Sequence, residues 1–146
     1  MCILLTIIPR LNMIDETFIK EIDSAHKAAN NAQQDKNFDL YMTFFTDDLQ
    51  YKQLNGKTIG KKQLANDVKS YFNRVKSLSG SYHRNEINAA AGKITERLIQ
   101  HSQVSIRVFI FFSKKWTIER DGIYEWIRVN GKWKICRVEV LGEKIT

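Results

Sequence analysis

The sequence predicts an α+β domain, helices first and an antiparallel sheet after them. Three observations carry this. Apolar residues recur at helical spacing through Ile14–Asp35 and Lys61–Lys76. From Tyr82 onward they alternate with polar residues, which is the period of a strand. Asn130-Gly131 separates two such runs, Gly122–Val129 and Lys132–Val140. Asn-Gly between alternating runs is the strongest short-range hairpin signal, because a type I′ turn needs positive φ at both central residues.

The first helix has a stripe of Ile14, Phe18, Ile22, Ala25, Ala29 and Ala32. Asp15 and Glu16 sit in its first turn, where the helix dipole favours negative charge. His26 lies one position off the stripe and reads as a boundary histidine partly in water. Lys36-Asn37 breaks the pattern, and Asn37 suits the N-cap of a short second helix, Phe38–Phe45. Thr46-Asp47-Asp48 ends that helix, and Leu49–Gln53 alternates like a strand. Asn55-Gly56 and Gly60 bracket a loop. The third helix, Lys61–Lys76, buries Leu64, Val68, Tyr71, Phe72 and Val75. Ser77–Ser81 reads as a polar break before the strand Tyr82–Ala91. A long, bulged or bent strand, Thr95–Phe112, turns at Lys114-Lys115 into Trp116–Val129.

With 146 residues, one domain with a real core is expected, over residues 13–146. Residues 1–12 read as an apolar extension. Cys2–Ile8 is too short to span a bilayer and makes a poor signal peptide, so neither a membrane partner nor export is expected. The net charge of +7 is spread along the chain, which suits solubility better than a nucleic-acid groove. Cys2 and Cys136 form no disulfide framework, and a reducing, cytoplasmic setting is expected. No Gly-rich phosphate loop and no metal-ligand spacing occurs, so no cofactor and no metal is expected.

A two-residue turn at Asn130-Gly131 sets the hairpin register. Ile123, Glu125 and Ile127 then share a face with Val138, Cys136 and Lys134. Val104 or Ile106 falls opposite Glu125 if the preceding turn is of even length. This largely aliphatic face is expected to meet the helices. The opposite face carries Tyr124, Trp126, Arg128, Trp133, Ile135 and Arg137. Aromatics mixed with arginine are typical of protein contacts, so a homodimer through Trp126, Trp133 and Ile135 is expected.

The order of elements resembles the nuclear transport factor 2-like superfamily, which includes SnoaL-like cyclases and ketosteroid isomerases. The resemblance rests on Asp35-Lys36-Asn37-Phe38-Asp39, Phe44-Phe45-Thr46-Asp47-Asp48-Leu49-Gln50-Tyr51, Gly60, and Asn130-Gly131-Lys132-Trp133-Lys134-Ile135. It implies a cone-shaped, cystatin-like roll, with three helices packed on a curved mixed or antiparallel sheet enclosing a pocket. Ketosteroid isomerases resemble this chain poorly at their working residues. Their base position looks like Gln53 and their tyrosine position like Ala29. Only their acid position, which looks like Glu125, keeps a carboxyl group, so that isomerisation is not expected here. Scytalone dehydratase-like members use inward histidines and tyrosines; Tyr82, His83 and His101 lie on strands.

The functional expectation is a pocket protein for a small, largely apolar molecule, with acid–base isomerase, cyclase or lyase activity left open. Glu125 is the candidate acid or base. Tyr51, Gln53, Val104, Ile106, Ile123, Cys136 and Val138 are the candidate ligand-binding residues, with Tyr51 or Gln53 donating to a substrate oxygen. The alternative is a non-catalytic protein-interaction or accessory module.

Overall fold

The computed structural model describes residues 15–109 and 111–146, so the expectations for residues 1–12 lie outside the described residues. Helix α1 (Glu16–Gln34) starts at Asp15, whose carboxylate accepts from the Thr17 amide at 2.8 Å. Asn37 caps helix α2 (Phe38–Met42) by accepting from the Leu40 amide. That helix ends sooner than expected because Phe45 already begins strand β1 (Phe45–Lys52), beside Ile135. Asp47 and Asp48 therefore belong to a strand. A two-residue strand β2 (Thr58–Ile59) precedes helix α3 (Lys61–Arg74).

Strand β3 (Val75–Ala90) follows α3 directly. The expected break at Ser77–Ser81 is absent, because these polar residues pair with Ser105–His101 of strand β4 (Lys93–Phe109). Pairing to a neighbour outweighs weak strand propensity. Strands β5 (Phe112–Val129) and β6 (Lys132–Ile145) complete a six-stranded sheet in the order β2-β1-β6-β5-β4-β3. Strand β1 runs parallel to β6, and the other pairs are antiparallel. The fold is thus α+β, with a mixed sheet packed on the helices. The turn between β4 and β5 falls after Phe109, which pairs with Phe112, and Lys114 and Lys115 lie within a strand.

The hairpin at Asn130-Gly131 forms as expected, with φ of 52° and 79° at the two residues. Its register holds only as far as Trp126, which pairs with Ile135. The next pair is Glu125 with Arg137, so Cys136 is an extra residue on β6. A bulge of this kind restores pairing but breaks the strict alternation of faces. Ile135 and Val138 consequently both face inward, together with Tyr124, Trp126 and Val140.

This inverts the expected use of the β5 face. Trp126 is 0% exposed and sits in the core with Ile22, Ile94 and Leu98. An indole buries more area than an isoleucine, and this one also finds a partner for its N–H inside. Trp126 and Ile135 are therefore not dimer-contact residues. Trp133 packs its ring edge-on against Phe18 of α1 and donates to Glu21, so it too faces the helix. Ile123, Glu125 and Cys136 turn to the outer face, away from the cone. Glu125 pairs there with Arg137 at 3.1 Å, and Arg137 also meets Glu139. Val104 and Val138 are buried as expected, and Ile106 is half-buried.

Candidate functional site

The inner face of β4 and β5 forms a column of side chains running from a buried end to an open mouth. Glu96, Leu98 and Gln100 follow one another on β4. Trp126, Tyr124, Gly122 and Arg120 follow on β5, cross-paired with them in register. Gly122 has a definite function in this column. A Cβ there would lie 3.2 Å from the Glu139 carbonyl and 3.3 Å from the Tyr124 ring. Its absence lets the Tyr124 ring lean along the strand toward the mouth.

At the mouth is a cleft of about 530 Å³ lined by Tyr51, Gln53, Leu54, Asn55, Arg120, Val140 and Glu143. Three strands and a loop position it. Tyr51 ends β1, paired in parallel with Val138, and Arg120 on β5 pairs with Glu143 on β6. The loop after β1 brings in Gln53, Leu54 and Asn55. Arg120 donates from Nε to Glu143 at 2.8 Å, and its Nη1 stands 3.5 Å from the Tyr51 hydroxyl. Burial alone would lower the Arg120 pKa. Charge interaction with Tyr51 and Tyr124 and the contact with Glu143 outweigh it, so the guanidinium is held above its ordinary range. Tyr41 and Tyr124 are neighbours of Tyr51 in this field. Burial pushes the Tyr41, Tyr71 and Tyr124 phenols above their ordinary range, which keeps them neutral donors. Tyr124 donates to the Gln100 side chain at 2.8 Å. The mouth is thus one guanidinium with its carboxylate partner and the Tyr51 hydroxyl, over apolar Leu54 and Val140.

At the buried end, Glu96 is 1% exposed and enters the cone from β4. It accepts from the Trp126 indole at 2.6 Å, from Arg84 Nε at 3.1 Å, and lies 2.7 Å from His26 Nε2. Arg84 on β3 also reaches Asp23 on α1 at 2.7 Å, and Tyr82 donates to the same Asp23 oxygen at 2.5 Å. Burial pushes the Asp23 pKa up, but the Arg84 and Tyr82 hydrogen bonds and the Arg84 charge more than offset this, and the net shift is downward. A carboxylate oxygen accepts, so His26 Nε2 donates to it, and in a neutral ring Nδ1 is the basic nitrogen. The Tyr82 ring lies over the imidazole, with centroids 4.4 Å apart. The network joins α1 to β3, β4 and β5 through charges that satisfy one another.

Of the residues singled out from sequence, Tyr51 and Gln53 come together in the cleft. Val138 lies in the core, paired with Tyr51. Val104 and Ile106 lie further along β4, toward the β4–β5 turn. Ile123, Cys136 and Glu125 are on the other side of the sheet. Tyr82 points inward, whereas His83 and His101 are exposed. His26, expected at the boundary, is only 8% exposed. Sequence reasoning missed Arg120, Glu143 and Glu96. Glu96 had a readable signal: it stands between Ile94 and Leu98 on one strand face, the pattern that drew attention to Glu125.

A second cleft of about 370 Å³ lies along the first turns of α1, among Thr17, Lys20, Glu21, Arg128 and Trp133. Its carboxylate is already engaged, Arg128 and Trp133 both donating to Glu21. Among the described residues no group of three or more His, Cys, Asp or Glu side chains is placed to hold a metal. No helix among them is long and apolar enough to cross a membrane.

No protein-family model matches the sequence, and no curated protein is similar to it. Solved structures are similar in fold. A conserved protein from Planctomyces limnophilus superposes with a TM-score of 0.76 at 16% identity, over 86% of this chain and 95% of that one. A provisionally named scytalone dehydratase from Novosphingobium aromaticivorans gives 0.75 at 10% identity, over 88% and 87%. A provisionally named dehydratase of the nuclear transport factor 2-like family from Streptomyces avermitilis gives 0.69 at 6% identity, over 86% and 97%. At such identities the likeness concerns the fold, and function has to be argued from the side chains.

Proposed function

The chain has the nuclear transport factor 2-like fold, and we propose that it binds a small uncharged molecule in the cleft at the mouth of its cone. The observation that carries this reading is the Arg120–Tyr51 pair lining an open cleft with an apolar wall. Arg120 Nη1 faces the Tyr51 hydroxyl as its donor, which leaves the hydroxyl proton for a ligand oxygen, and Leu54 and Val140 supply the surface for a ring or short chain. A few convergent polar groups over apolar walls are the usual composition of a ligand site. Glu143 compensates the Arg120 charge. A carboxylate or phosphate ligand would meet Glu143 repulsion, whereas a ketone, lactone or phenol oxygen would not. The ligand is therefore a small aromatic or alicyclic molecule with a hydrogen-bonding oxygen.

Calorimetric titration with para-hydroxyacetophenone tests this. Tyr51→Phe removes one donor and is expected to weaken binding about five- to tenfold, the worth of one hydrogen bond. Val140→Trp fills the cleft and is expected to abolish binding. Affinity unchanged in both variants would overturn the reading.

A second reading, acid–base turnover of the bound molecule, is favoured by one observation. His26 and Glu96 form a base–orienter pair deeper in the same column, separated from the mouth by buried Leu98 and the Tyr124 ring. His26 would take a proton at Nδ1 while Glu96 holds the ring. The Tyr82 ring over the imidazole is why binding is the first reading and turnover the second. Fold neighbours named as dehydratases support the general type of ligand, not this reaction.

A further inference from the structure

The β4–β5 turn ends in a cluster of large apolar residues in water. Val108 is 54% exposed, Phe109 69%, Phe111 90% and Phe112 70%. The rest of β4 and β5 is flanked by other strands. Strand β3 stops at Val75 opposite Ile106, and β6 stops at Ile145 opposite Ile118. Beyond these points the ribbon has no strand beside it among the described residues. Three phenylalanines on a bare two-stranded ribbon make a patch that a soluble surface does not otherwise retain.

The base of the ribbon is basic. Arg107, Lys114 and Lys115 are exposed on it, and Arg74 and Lys76 flank the β3 residue that pairs with Ile106. Between Glu96 and Glu119 the sequence contains no acidic residue. Lys114 lies over the Trp116 ring, 4.3 Å from its centroid. From the tip downward the order is phenylalanine, then lysine and arginine, then tryptophan. An apolar end with a cationic collar matches the profile of an anionic lipid surface, where acyl chains lie below the phosphates.

We propose that this tip docks on an anionic membrane surface, Phe109, Phe111 and Phe112 entering the acyl boundary and the collar meeting lipid phosphates. The charge pattern favours lipid over a second copy. A second copy would need an unpaired acidic face for the collar. On the outer sheet face Glu125 and Glu139 are engaged by Arg137 and Asp121 by Arg97, and the exposed Glu86 and Glu119 stand apart on β3 and β5 with β4 between them. The whole chain carries +7, which opposes self-association at a basic end. This is peripheral docking and needs no spanning helix, and none of the helices among the described residues is long and apolar enough to be one.

Vesicle flotation tests the proposal, using phosphatidylcholine alone and an equimolar mixture with phosphatidylglycerol. The protein is expected to float with the mixed vesicles and not with pure phosphatidylcholine. Phe111→Ser with Phe112→Ser is expected to reduce partitioning about tenfold or more. Lys114→Ser with Lys115→Ser is expected to reduce it and to flatten its salt dependence. These residues are exposed, and circular dichroism checks that each variant keeps the fold. Phe111→Trp supplies a depth probe whose emission should shift to the blue and be quenched by brominated lipid. Binding that persists in the phenylalanine double variant, or a tryptophan at position 111 that stays in water, would reduce the effect to charge adsorption and overturn the proposal. So would an absence of flotation with the mixed vesicles; a dimer that dissociates in that double variant would then give the tip to a second copy.

Discussion

Replacing Glu96 by alanine is expected to destabilise the fold by about 3–5 kcal/mol, the cost of removing one member of a buried charged network. The loss strands three partners at once. The Trp126 indole N–H, the Arg84 guanidinium and the His26 imidazole all meet Glu96. A buried donor left without its acceptor suffers its full desolvation penalty. Urea denaturation measures the effect. The informative control is Glu125→Ala, one strand away and on the other face. Glu125 is paired with Arg137 at the surface, where such a pair is worth about 0–1 kcal/mol. Comparable losses in the two variants would mean that Glu96 is not the carboxylate held inside the cone.

Trp126→Ala is expected to cost about 3–5 kcal/mol, as large-to-small changes of buried aromatics do. Trp126 is fully buried among Ile22, Ile94 and Leu98, with the His26 ring edge-on to its indole at 5.0 Å. Removing it creates a cavity and takes a donor from Glu96. Thermal unfolding and sedimentation velocity separate this from a surface role. The variant should melt at a markedly lower temperature at any protein concentration. A variant that stayed fully stable and changed only its oligomeric state would return Trp126 to the surface.

Much of the architecture was legible because it rests on periodicity and turns. The helical stripe of Ile22, Ala25 and Ala32, the Asn37 cap and the Asn130-Gly131 turn follow from short-range rules. Which face of the sheet is inside was not legible: Trp126 and Ile135 pair as expected yet turn inward, and an extra residue on β6 brings Val138 and Val140 round to their face. The bulge at Cys136 leaves the pairs nearest the turn in their expected places and shifts every later one. Periodicity alone gives no sign of an inserted residue, and a face assignment extended along the strand inherits the error. The position of the turn after Phe109 was hidden for a related reason. Lys114-Lys115 looks more like a turn than an aromatic run does, since a run of phenylalanines at a tip serves no folding purpose.

The candidate site was legible in its β1 half. Tyr51 and Gln53 follow from strand alternation beside the loop at Asn55-Gly56. Arg120 and Glu143 were not, because their meeting depends on the pairing of β5 with β6 far from the turn, beyond the bulge. His26 was misread because position on a helical wheel says which residues approach a sheet but not which partner waits there. A histidine next to an apolar stripe is buried only when a carboxylate meets it, and Glu96 is 70 residues away in sequence.

The central claim is that the ligand site is the mouth of the cone between Tyr51 and Arg120. Amide chemical-shift mapping of isotopically labelled protein, titrated with para-hydroxyacetophenone, tests it most directly. Saturable shifts are expected at Tyr51, Gln53, Leu54, Arg120, Val140 and Glu143, and their loss is expected in Val140→Trp. Shifts centred on Glu21, Arg128 and Trp133 in the second cleft, or shifts at the mouth that persist in Val140→Trp, would contradict it.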